Sequence, residues 1–216
     1  MRAVVVAGGE VDQSDAEHLN AADLVIAADG GARFLESRGW RPDILVGDLD
    51  SVDAALVQRL ATDGVTLERH PADKDATDAE LAIERAIAAG AKRISVIGAF
   101  GGTRLDHELG NLLLLADAEL AGRVDDLRMV RSGTLVRALH GPATLEIEVP
   151  PGARVGLLPV GGDATGVQTR GLRFALDGES LRFGRSRGLA NEVVSTPASV
   201  SLKAGVLLVI ESTDKE

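Results

Sequence analysis

The stretch Ile44-Leu45-Val46-Gly47-Asp48-Leu49-Asp50-Ser51 decides how this chain folds. Three apolar residues, enough for one buried strand, are followed by a glycine and by two carboxylates one residue apart. A parallel strand with this ending brings its acids to the carboxyl edge of the sheet, where ligands of open α/β folds bind. Asp48 and Asp50 offer the hard oxygen ligands that Mg²⁺ prefers, and Mg²⁺ is usually shared with substrate phosphates. A strand followed by an Asx turn explains the same residues without chemistry, so this stretch alone leaves both interpretations open.

Alternating strands and helices surround this stretch. Continuous apolar runs at residues 3–7, 24–28 and 93–97 end at glycine or at Asp-Gly-Gly, and residues 52–61 and 75–88 carry apolar side chains at helical spacing. Continuously apolar strands that alternate with helices predict a mostly parallel sheet covered on both faces. We therefore predict an α/β N-terminal domain at residues 1–126.

The sequence pattern changes from alternating strands and helices to short β-rich runs after residue 126. Short β-rich runs separated by glycine and proline recur from residue 127 onward, and helical spacing is absent there. This pattern predicts an all-β sandwich C-terminal domain at residues 127–216. The last five residues, 212–216, are expected to fray.

The composition narrows the class of protein. The chain of 216 residues has a formal net charge of −10 and contains no cysteine. The acidic charge argues against a nucleic-acid surface, and the lack of cysteine excludes disulfides and thiolate chemistry. No apolar run approaches the roughly twenty residues that span a bilayer. We expect a cytoplasmic protein with no nucleic-acid or membrane partner, which must bind any phosphate-bearing substrate through metal ions or a local basic pocket.

Four acidic residues fall where a predicted strand meets a predicted helix: Asp29, Asp48, Asp50 and Asp78. Residues that follow parallel strands gather on one edge of the sheet even when they are far apart in sequence. For Asp78 on its own, a helix cap is the better explanation. Lys74, four residues earlier, can neutralise charge as a point cation beside metal-bound phosphates.

A second polar segment follows the strand at residues 93–97. It contains Gly101, Gly102, Arg104, Asp106, His107 and Asn111. A strand, a glycine-bearing loop and a helix start form a phosphate cradle from backbone N–H groups, and Arg104 is available for a bidentate contact. Arg104, His107 and Asn111 share one face of a helix; the alternative for His107 is a surface histidine paired with Asp106. The chain lacks the P-loop motif, so ATP must be bound in another way.

These motifs, in this order, resemble the signature set of the thiamine pyrophosphokinase family. The resemblance covers the first domain nearly end to end and implies a β-sandwich second domain. It also implies Mg²⁺-dependent transfer of a pyrophosphoryl group from ATP to the hydroxyethyl group of thiamine, which yields thiamine diphosphate and AMP. The matching segments are Asp29-Gly30-Gly31, Pro42-Asp43-x-x-Val46-Gly47-Asp48-x-Asp50-Ser51, Lys74-Asp75-x-Thr77-Asp78-x-Glu80 and Gly101-Gly102-x-Arg104-x-Asp106-His107-x-x-x-Asn111.

The resemblance implies a role for each matched residue. Asp48, Asp50 and Asp78 would hold Mg²⁺ and, with Lys74, form the catalytic set, with Asp78 ahead of Asp50 as the acceptor of the thiamine proton. The first domain becomes the nucleotide-binding catalytic domain, and the second one serves thiamine binding and dimerisation, because the family works as a homodimer with sites between subunits. The implied ATP-binding residues are Asp29, Gly30, Gly31, Gly101, Gly102, Arg104, Asp106, His107 and Asn111.

The implied thiamine-binding residues are Ser51, Thr77, Phe174, Gly188, Ala190 and Asn191. Ala190 departs from the family, which often has serine there, so a hydroxyl that would hydrogen-bond the pyrimidine is missing. Thr103 is a second departure, since it makes the loop before Arg104 one residue longer than in many members. Ala190 leaves open whether thiamine is the acceptor.

Two other functions stay open from the sequence. A haloacid-dehalogenase-like phosphatase would use Asp48 as the covalent nucleophile of an Asp-x-Asp pair, but it explains neither Gly47 nor the segment from Gly101 to His107. A non-catalytic nucleotide- or vitamin-binding dimer would keep the glycine loops and could dispense with the acids, all of which are present.

Overall fold

The computed structural model describes residues 1–213, which divide into two compact units. The first unit comprises Met1–Leu114 and Gly122–Ser132; the second comprises Leu115–Ala121 and the chain from Gly133 onward. The elements up to residue 131 are β1 (Arg2–Val6), α1 (Gln13–Ala16), a 3-10 helix (Glu17–Ala21), β2 (Leu24–Ala28), α2 (Gly31–Ser37), β3 (Ile44–Gly47), α3 (Ala54–Thr62), β4 (Thr66–Arg69), α4 (Asp78–Ala88), β5 (Arg93–Ile97), α5 (Leu105–Leu114), α6 (Ala118–Arg123) and β6 (Asp126–Arg131).

A parallel sheet forms the centre of the first unit. Its strands lie in the order β4-β3-β2-β1-β5-β6, and each neighbouring pair is parallel. Strands β1, β2 and β3 are almost entirely buried, as their continuously apolar sequences require. Helix α4 packs on these three strands through Ala79, Ala82, Ile83 and Ala86. The strand order reverses between β1 and β5, which is the point where open α/β sheets bind ligands.

The structure differs from the sequence prediction at the boundary between the two parts of the chain. The predicted boundary after residue 126 falls within β6, which we expected to open the β-rich domain. Instead β6 pairs in parallel with β5, with Leu127 opposite Ile94 and Met129 opposite Val96. An apolar run of this length suits a parallel or an antiparallel strand equally well, and only its tertiary pairing assigns it to the first unit.

The second unit consists mainly of antiparallel strands. The long strand β9 pairs with β13 through its first half and with β12 and β10 through its second half, so it serves two sheets. One apolar core takes residues from both sheets, among them Leu157, Leu207, Val167 and Val200. The strands are β7 (Thr134–His140), β8 (Ala143–Glu146), β9 (Arg154–Arg170), β10 (Asp177–Leu181), β11 (Asn191–Glu192), β12 (Ser199–Leu202) and β13 (Ala204–Ser212).

The end of the chain is more ordered than expected up to residue 212. Ser212 still pairs with Thr134 and Arg154 as the last residue of β13. Residues 214–216, the rest of the segment expected to fray, lie outside the described residues. Within residues 1–213, no helix is long and apolar enough to cross a membrane.

Candidate functional site

A cleft of about 890 Å³ opens at the carboxyl edge of the parallel sheet. All residues that line it belong to the first unit. They come from the loops that follow β1, β2, β3 and β5 and from the segment that leads into α4, as expected for a ligand site at the reversal of strand order. The cleft is lined by Asp29, Gly30, Asp48, Asp50, Ser51, Lys74, Thr77, Asp78, Gly101, Gly102, Arg104, His107 and Asn111, among others.

Three carboxylates meet inside this cleft. Asp29, Asp48 and Asp78 each offer an oxygen that lies within 4.8 Å of the other two. Asp29 follows β2 and Asp48 follows β3, and the two strands run side by side. Asp78 is the first residue of α4, which packs on both strands. The sheet and one helix thus bring together residues that are far apart in the sequence.

Gly47 makes room for this group. Its φ of +145° is poorly accessible to other residues. A Cβ at this position would lie 2.9 Å from Oδ1 of Asp78 and 3.1 Å from Cβ of Asp29. The glycine before Asp48 is therefore required both by the backbone conformation and by the close approach of the carboxylates.

The charges in this group are poorly compensated. Burial and the fields of Asp78 and Asp48 raise the pKa of Asp29. Oδ1 of Asp29 is buried and accepts no hydrogen bond from any described residue. Lys74 lies 3.0 Å from Oδ1 of Asp78 and 3.9 Å from Oδ2 of Asp48. Burial opposes its charge, but the hydrogen bond to Asp78 and the surrounding carboxylates together raise the pKa of Lys74.

The donor set of this group suits a hard divalent cation. Three carboxylates face one ammonium, and one buried carboxylate oxygen has no partner among the described residues. Oxygen ligands of this kind fit Mg²⁺, which takes one or two carboxylates and leaves further positions for phosphate oxygens. The group thus fits the metal that the sequence implies, with Asp29, Asp48 and Asp78 as the side chains that would hold it.

Asp50 lies outside the group of three, although the sequence places it among the metal ligands. Leu49 adopts a left-handed φ of 65°, which turns the chain between the two acids. Asp50 is exposed, and its Oδ1 accepts a hydrogen bond from the hydroxyl of Ser51 at 3.0 Å. It still lines the cleft, so its role toward a metal stays a prediction.

The glycine loop after β5 is fixed by side chains and by neighbouring backbone. The N–H of Gly101 donates to Oε1 of Glu108 at 3.0 Å. Nδ2 of the buried Asn111 donates to the carbonyl of Ala99 at 2.8 Å. The N–H of Glu10 donates to the carbonyl of Phe100 at 2.7 Å. Asn111, expected to bind ATP, therefore shapes the loop in this structure, and its contact with nucleotide stays a prediction.

Arg104, Asp106 and His107 lie on the exposed side of this loop and helix start. Arg104 donates from Nε and Nη2 to the two oxygens of Asp106, at 2.9 and 2.6 Å. Hydrogen bonds from Arg104 hold the pKa of Asp106 far below its usual range. Asp106 thus pairs with Arg104, whereas the alternative interpretation had paired it with His107. His107 faces the cleft.

The expected thiamine-binding residues lie in both units. Ser51 and Thr77 line the cleft of the first unit. Thr77 caps α4, because its hydroxyl oxygen accepts the N–H of Glu80 at 3.2 Å. In the second unit, Asn191 is buried and bridges to Phe174, accepting its N–H at 2.9 Å and donating to its carbonyl at 2.8 Å.

The remaining two expected thiamine-binding residues, Gly188 and Ala190, shortly precede Asn191 in the sequence. Gly188 packs so closely on β9 that a Cβ would lie 2.0 Å from the carbonyl oxygen of Leu157. Ala190 is exposed and has a left-handed φ of 59°, which is strained for alanine. These contacts explain how the segment keeps its shape; its binding of thiamine stays a prediction.

Sequence reasoning missed two charged residues of the cleft, Arg33 and Glu108. Arg33 lies in the first turn of α2, four residues after Asp29, and was treated only as part of a helix. A basic residue one turn beyond an Asp-Gly-Gly loop was a usable signal. Glu108 follows the His107 motif, but its contact with Gly101 depends on how the loop folds back, which spacing does not reveal.

Two protein-family models match the chain. The model described as thiamin pyrophosphokinase, catalytic domain, matches residues 16–124, which is half of the chain. The model described as thiamin pyrophosphokinase, vitamin B1 binding domain, matches residues 144–207. The matched ranges contain all the acids of the cleft and the Asn191 segment.

Known proteins with the same domains resemble the chain over most of its length. It is 27% identical over 192 residues to thiamine pyrophosphokinase of Bacillus subtilis (strain 168), covering 88% of both chains. It is 27% identical over 215 residues to thiamine pyrophosphokinase 2 of Arabidopsis thaliana, covering 88% of this chain and 78% of that protein. The crystal structure of thiamin pyrophosphokinase from Geobacillus thermodenitrificans matches with a TM-score of 0.83 at 28% identity, covering 100% of this chain and 99% of the other.

These matches do not support the two alternative functions. The two relatives and the crystal structure described above carry the name of a kinase, not of a phosphatase or of a binding protein without activity. The chain shares the fold of that crystal structure.

Proposed function

The chain belongs to the thiamine pyrophosphokinase family, and we propose that Asp29, Asp48, Asp78 and Lys74 bind the magnesium–triphosphate group of ATP for pyrophosphoryl transfer to thiamine. The protein is accordingly an enzyme, a thiamine diphosphokinase. The observation that carries the proposal is the approach of three carboxylates to within 4.8 Å in the ligand-binding cleft.

The reaction requires little covalent help from the protein. The hydroxyethyl oxygen of thiamine attacks the β-phosphorus of ATP, the bond to the α,β-bridging oxygen breaks, and AMP leaves. In-line positioning and charge neutralisation supply most of the rate of such a transfer. Mg²⁺, when bound, would neutralise charge on the phosphoryl oxygens. Lys74 adds one fixed positive charge beside Asp78 and Asp48, where those oxygens would lie.

The attacking hydroxyl must lose its proton to a base in the cleft. Asp78 was the first choice from the sequence, ahead of Asp50. Asp78 is ion-paired to Lys74 at 3.0 Å and belongs to the three carboxylates that would hold Mg²⁺, so its oxygens are already engaged. Asp50 is exposed in the same cleft and has no such cation beside it among the described residues. We therefore prefer Asp50 as the proton acceptor.

The glycine loop and the second unit take the other substrate groups in this proposal. Gly101 and Gly102, with Arg104 and His107, would contact ATP at the start of α5. Phe174, Gly188, Ala190 and Asn191 would bind thiamine, and the second unit would also serve dimerisation.

A homodimer with sites at the subunit interface is part of the proposal. Leu105, Leu109 and Leu113 are spaced four residues apart on α5, and their exposed fractions are 67%, 52% and 57%. An apolar stripe of this kind is typical of a surface that is covered in an assembly. Light scattering on the purified protein should give twice the mass of the chain. A cytoplasmic location stays a prediction from the sequence.

Incubation with ATP, MgCl₂ and thiamine tests the function directly. Chromatography should show AMP and thiamine diphosphate in equal amounts, and Asp48→Asn should abolish both while leaving the circular dichroism spectrum unchanged. Formation of ADP in place of AMP would contradict pyrophosphoryl transfer. Release of phosphate without thiamine would favour the phosphatase, and binding of both substrates without AMP would favour the non-catalytic dimer.

A further inference from the structure

Arg33 lines the same cleft as the carboxylate group and takes no part in the sequence motifs. It occupies the first turn of α2, directly after Asp29 and Gly30, and its side chain lines the cleft. Its Nη2 lies 3.4 Å from the point that a Cβ on Gly30 would occupy. The same point lies 3.6 Å from Cα of Gly8 and 4.0 Å from Cβ of Ser51. The guanidinium thus occupies the part of the cleft where the loops after β1, β2 and β3 converge.

The cleft is poor in available positive charge. Among the described residues, six carboxylates and three permanent cations line it: Asp29, Asp48, Asp50, Asp75, Asp78 and Glu108 against Arg33, Lys74 and Arg104. A triphosphate brings about four more negative charges, so it needs cations that are free to bind it. The supply of such cations is therefore decisive for binding the substrate.

Two of the three cations are already paired. Lys74 lies against Asp78 and Asp48, and Arg104 holds both oxygens of Asp106. The guanidinium of Arg33 makes no ion pair, hydrogen bond or ring contact with any residue in the part of the chain that the structure describes. It is the cation of the cleft that can bind a phosphate without first giving up a protein partner.

We propose that Arg33 binds the β- and γ-phosphoryl oxygens of ATP and so determines the affinity of the cleft for the triphosphate. The inference rests on the proposed function, since it assigns Arg33 to the same substrate. A guanidinium presents paired N–H donors that match two phosphate oxygens, and it stays charged at every accessible pH. Its Nη2 lies against the glycine loop that follows Asp29, on the side of the cleft formed by the loops after β1, β2 and β3.

The test compares three variants. Arg33→Gln removes the charge, and Arg33→Lys keeps it without the fork of donors. Arg38→Gln is the matched control, because Arg38 lies at the end of the same helix, outside the cleft, with its guanidinium over the ring of Phe34 at 5.7 Å. Each protein is titrated with AMP, with thiamine and with an ATP analogue whose α,β-bridging oxygen is replaced by CH₂, all in the presence of MgCl₂.

Arg33→Gln should weaken binding of the analogue by about 10- to 100-fold, the range for losing a charge-assisted contact. AMP and thiamine should bind within about twofold of wild type, because neither carries the β- and γ-phosphates. Arg33→Lys should lie between wild type and Arg33→Gln, and Arg38→Gln should match wild type. In turnover, KM for ATP should rise in Arg33→Gln with KM for thiamine unchanged.

Unchanged affinity of Arg33→Gln for the analogue would overturn the inference. An equal loss of affinity for AMP would overturn it too, because Arg33 would then act at the nucleoside end of the site. A wild-type protein that binds the analogue but forms no AMP would contradict the proposed function. The affinities of the Arg33 variants for the analogue would still test the role of Arg33. A wild-type protein that does not bind the analogue would contradict both the proposed function and the inference about Arg33.

Discussion

The ammonium of Lys74 lies 3.0 Å from Oδ1 of Asp78, across the start of α4. Both side chains are largely buried, with exposed fractions of 14% and 26%. The contact places one positive charge beside a group of three carboxylates. The group therefore keeps a net negative charge, which a divalent cation can neutralise.

Replacing Lys74 should separate metal binding from catalysis. Lys74→Met removes the cation that competes for Asp48 and Asp78, so the variant should bind Mn²⁺ alone more tightly than wild type does. It should also lose about 100-fold or more in the rate of AMP formation, because one of the charges that neutralise the phosphoryl group is gone. Lys92→Met is the control, since Lys92 donates to the carbonyl of Arg123 elsewhere in the first unit. Weaker Mn²⁺ binding in Lys74→Met would contradict this account of the contact.

Gly47→Ala should damage the carboxylate group more than the fold. The new Cβ would meet Asp78 and Asp29 at a backbone conformation that alanine avoids, at a cost of about 1–3 kcal/mol in stability. Gly39→Ala is the control, because Gly39 also has a positive φ but nothing lies within 4 Å of its Cβ position. Urea unfolding and Mn²⁺ titration of both variants measure the difference. Equal losses of stability and equal Mn²⁺ affinities would show that the carboxylates do not need this glycine.

Asp29→Asn should stabilise the protein in the absence of divalent cations. Because burial and neighbouring carboxylates raise the pKa of Asp29, ionising it costs more in the folded than in the unfolded chain. Stability is therefore lost as the pH rises from the ordinary value of 3.8 through the raised pKa, and the amide avoids that loss. Thermal unfolding at pH 7 without metal should show a higher Tm for Asp29→Asn, and added MgCl₂ should stabilise it less than wild type. Asp50→Asn should show no such gain, and an equal gain there would contradict the argument.

Asp12 should contribute stability that depends on acid pH. Its Oδ1 accepts the N–H of Asp15 at 2.9 Å as the cap of α1, and this contact lowers the pKa of Asp12 to about 2. The contribution is complete above the ordinary value of 3.8 and is lost as the pH falls through about 2. Asp12→Ala should cost about 0.5–2 kcal/mol at pH 7.

Asp12→Asn separates the cap from the charge. Asparagine caps helices about as well as aspartate but does not titrate. The stability of wild type relative to this variant, measured by urea unfolding, should fall between pH 4 and pH 2. A difference that stays constant over that range would show that the ionised carboxylate is not needed.

The sequence predicted the parallel sheet and its ligand edge from local patterns. Continuously apolar strands such as residues 44–46, each followed by glycine or aspartate, leave few other arrangements. It also predicted that Asp29, Asp48, Asp50 and Asp78 would gather at one edge, because residues after parallel strands share it, and three of the four approach one another. It could not separate Asp50 from that group. Leucine has no preference for a left-handed φ, so the turn at Leu49 is imposed by the tertiary structure and leaves no signal in the sequence.

Other features depend on contacts between residues that are distant in the sequence, and no local sequence pattern predicts such contacts. The strand at residues 126–131 belongs to the first unit only because it pairs with β5. The amide of Asn191 is engaged by the backbone of Phe174, seventeen residues away, so its type and position indicated a ligand contact as readily as a structural bridge. Arg33 acquires its significance only because Lys74 and Arg104 are paired elsewhere in the cleft.

Anomalous diffraction from a crystal grown with Mn²⁺ and the methylene-bridged ATP analogue tests the central claim most directly. The account predicts a strong manganese peak within about 2.5 Å of carboxylate oxygens of Asp48 and Asp78, with Asp29 in the same group and phosphate oxygens on the open side. A peak elsewhere in the protein, or saturating Mn²⁺ with no peak at these side chains, would contradict it.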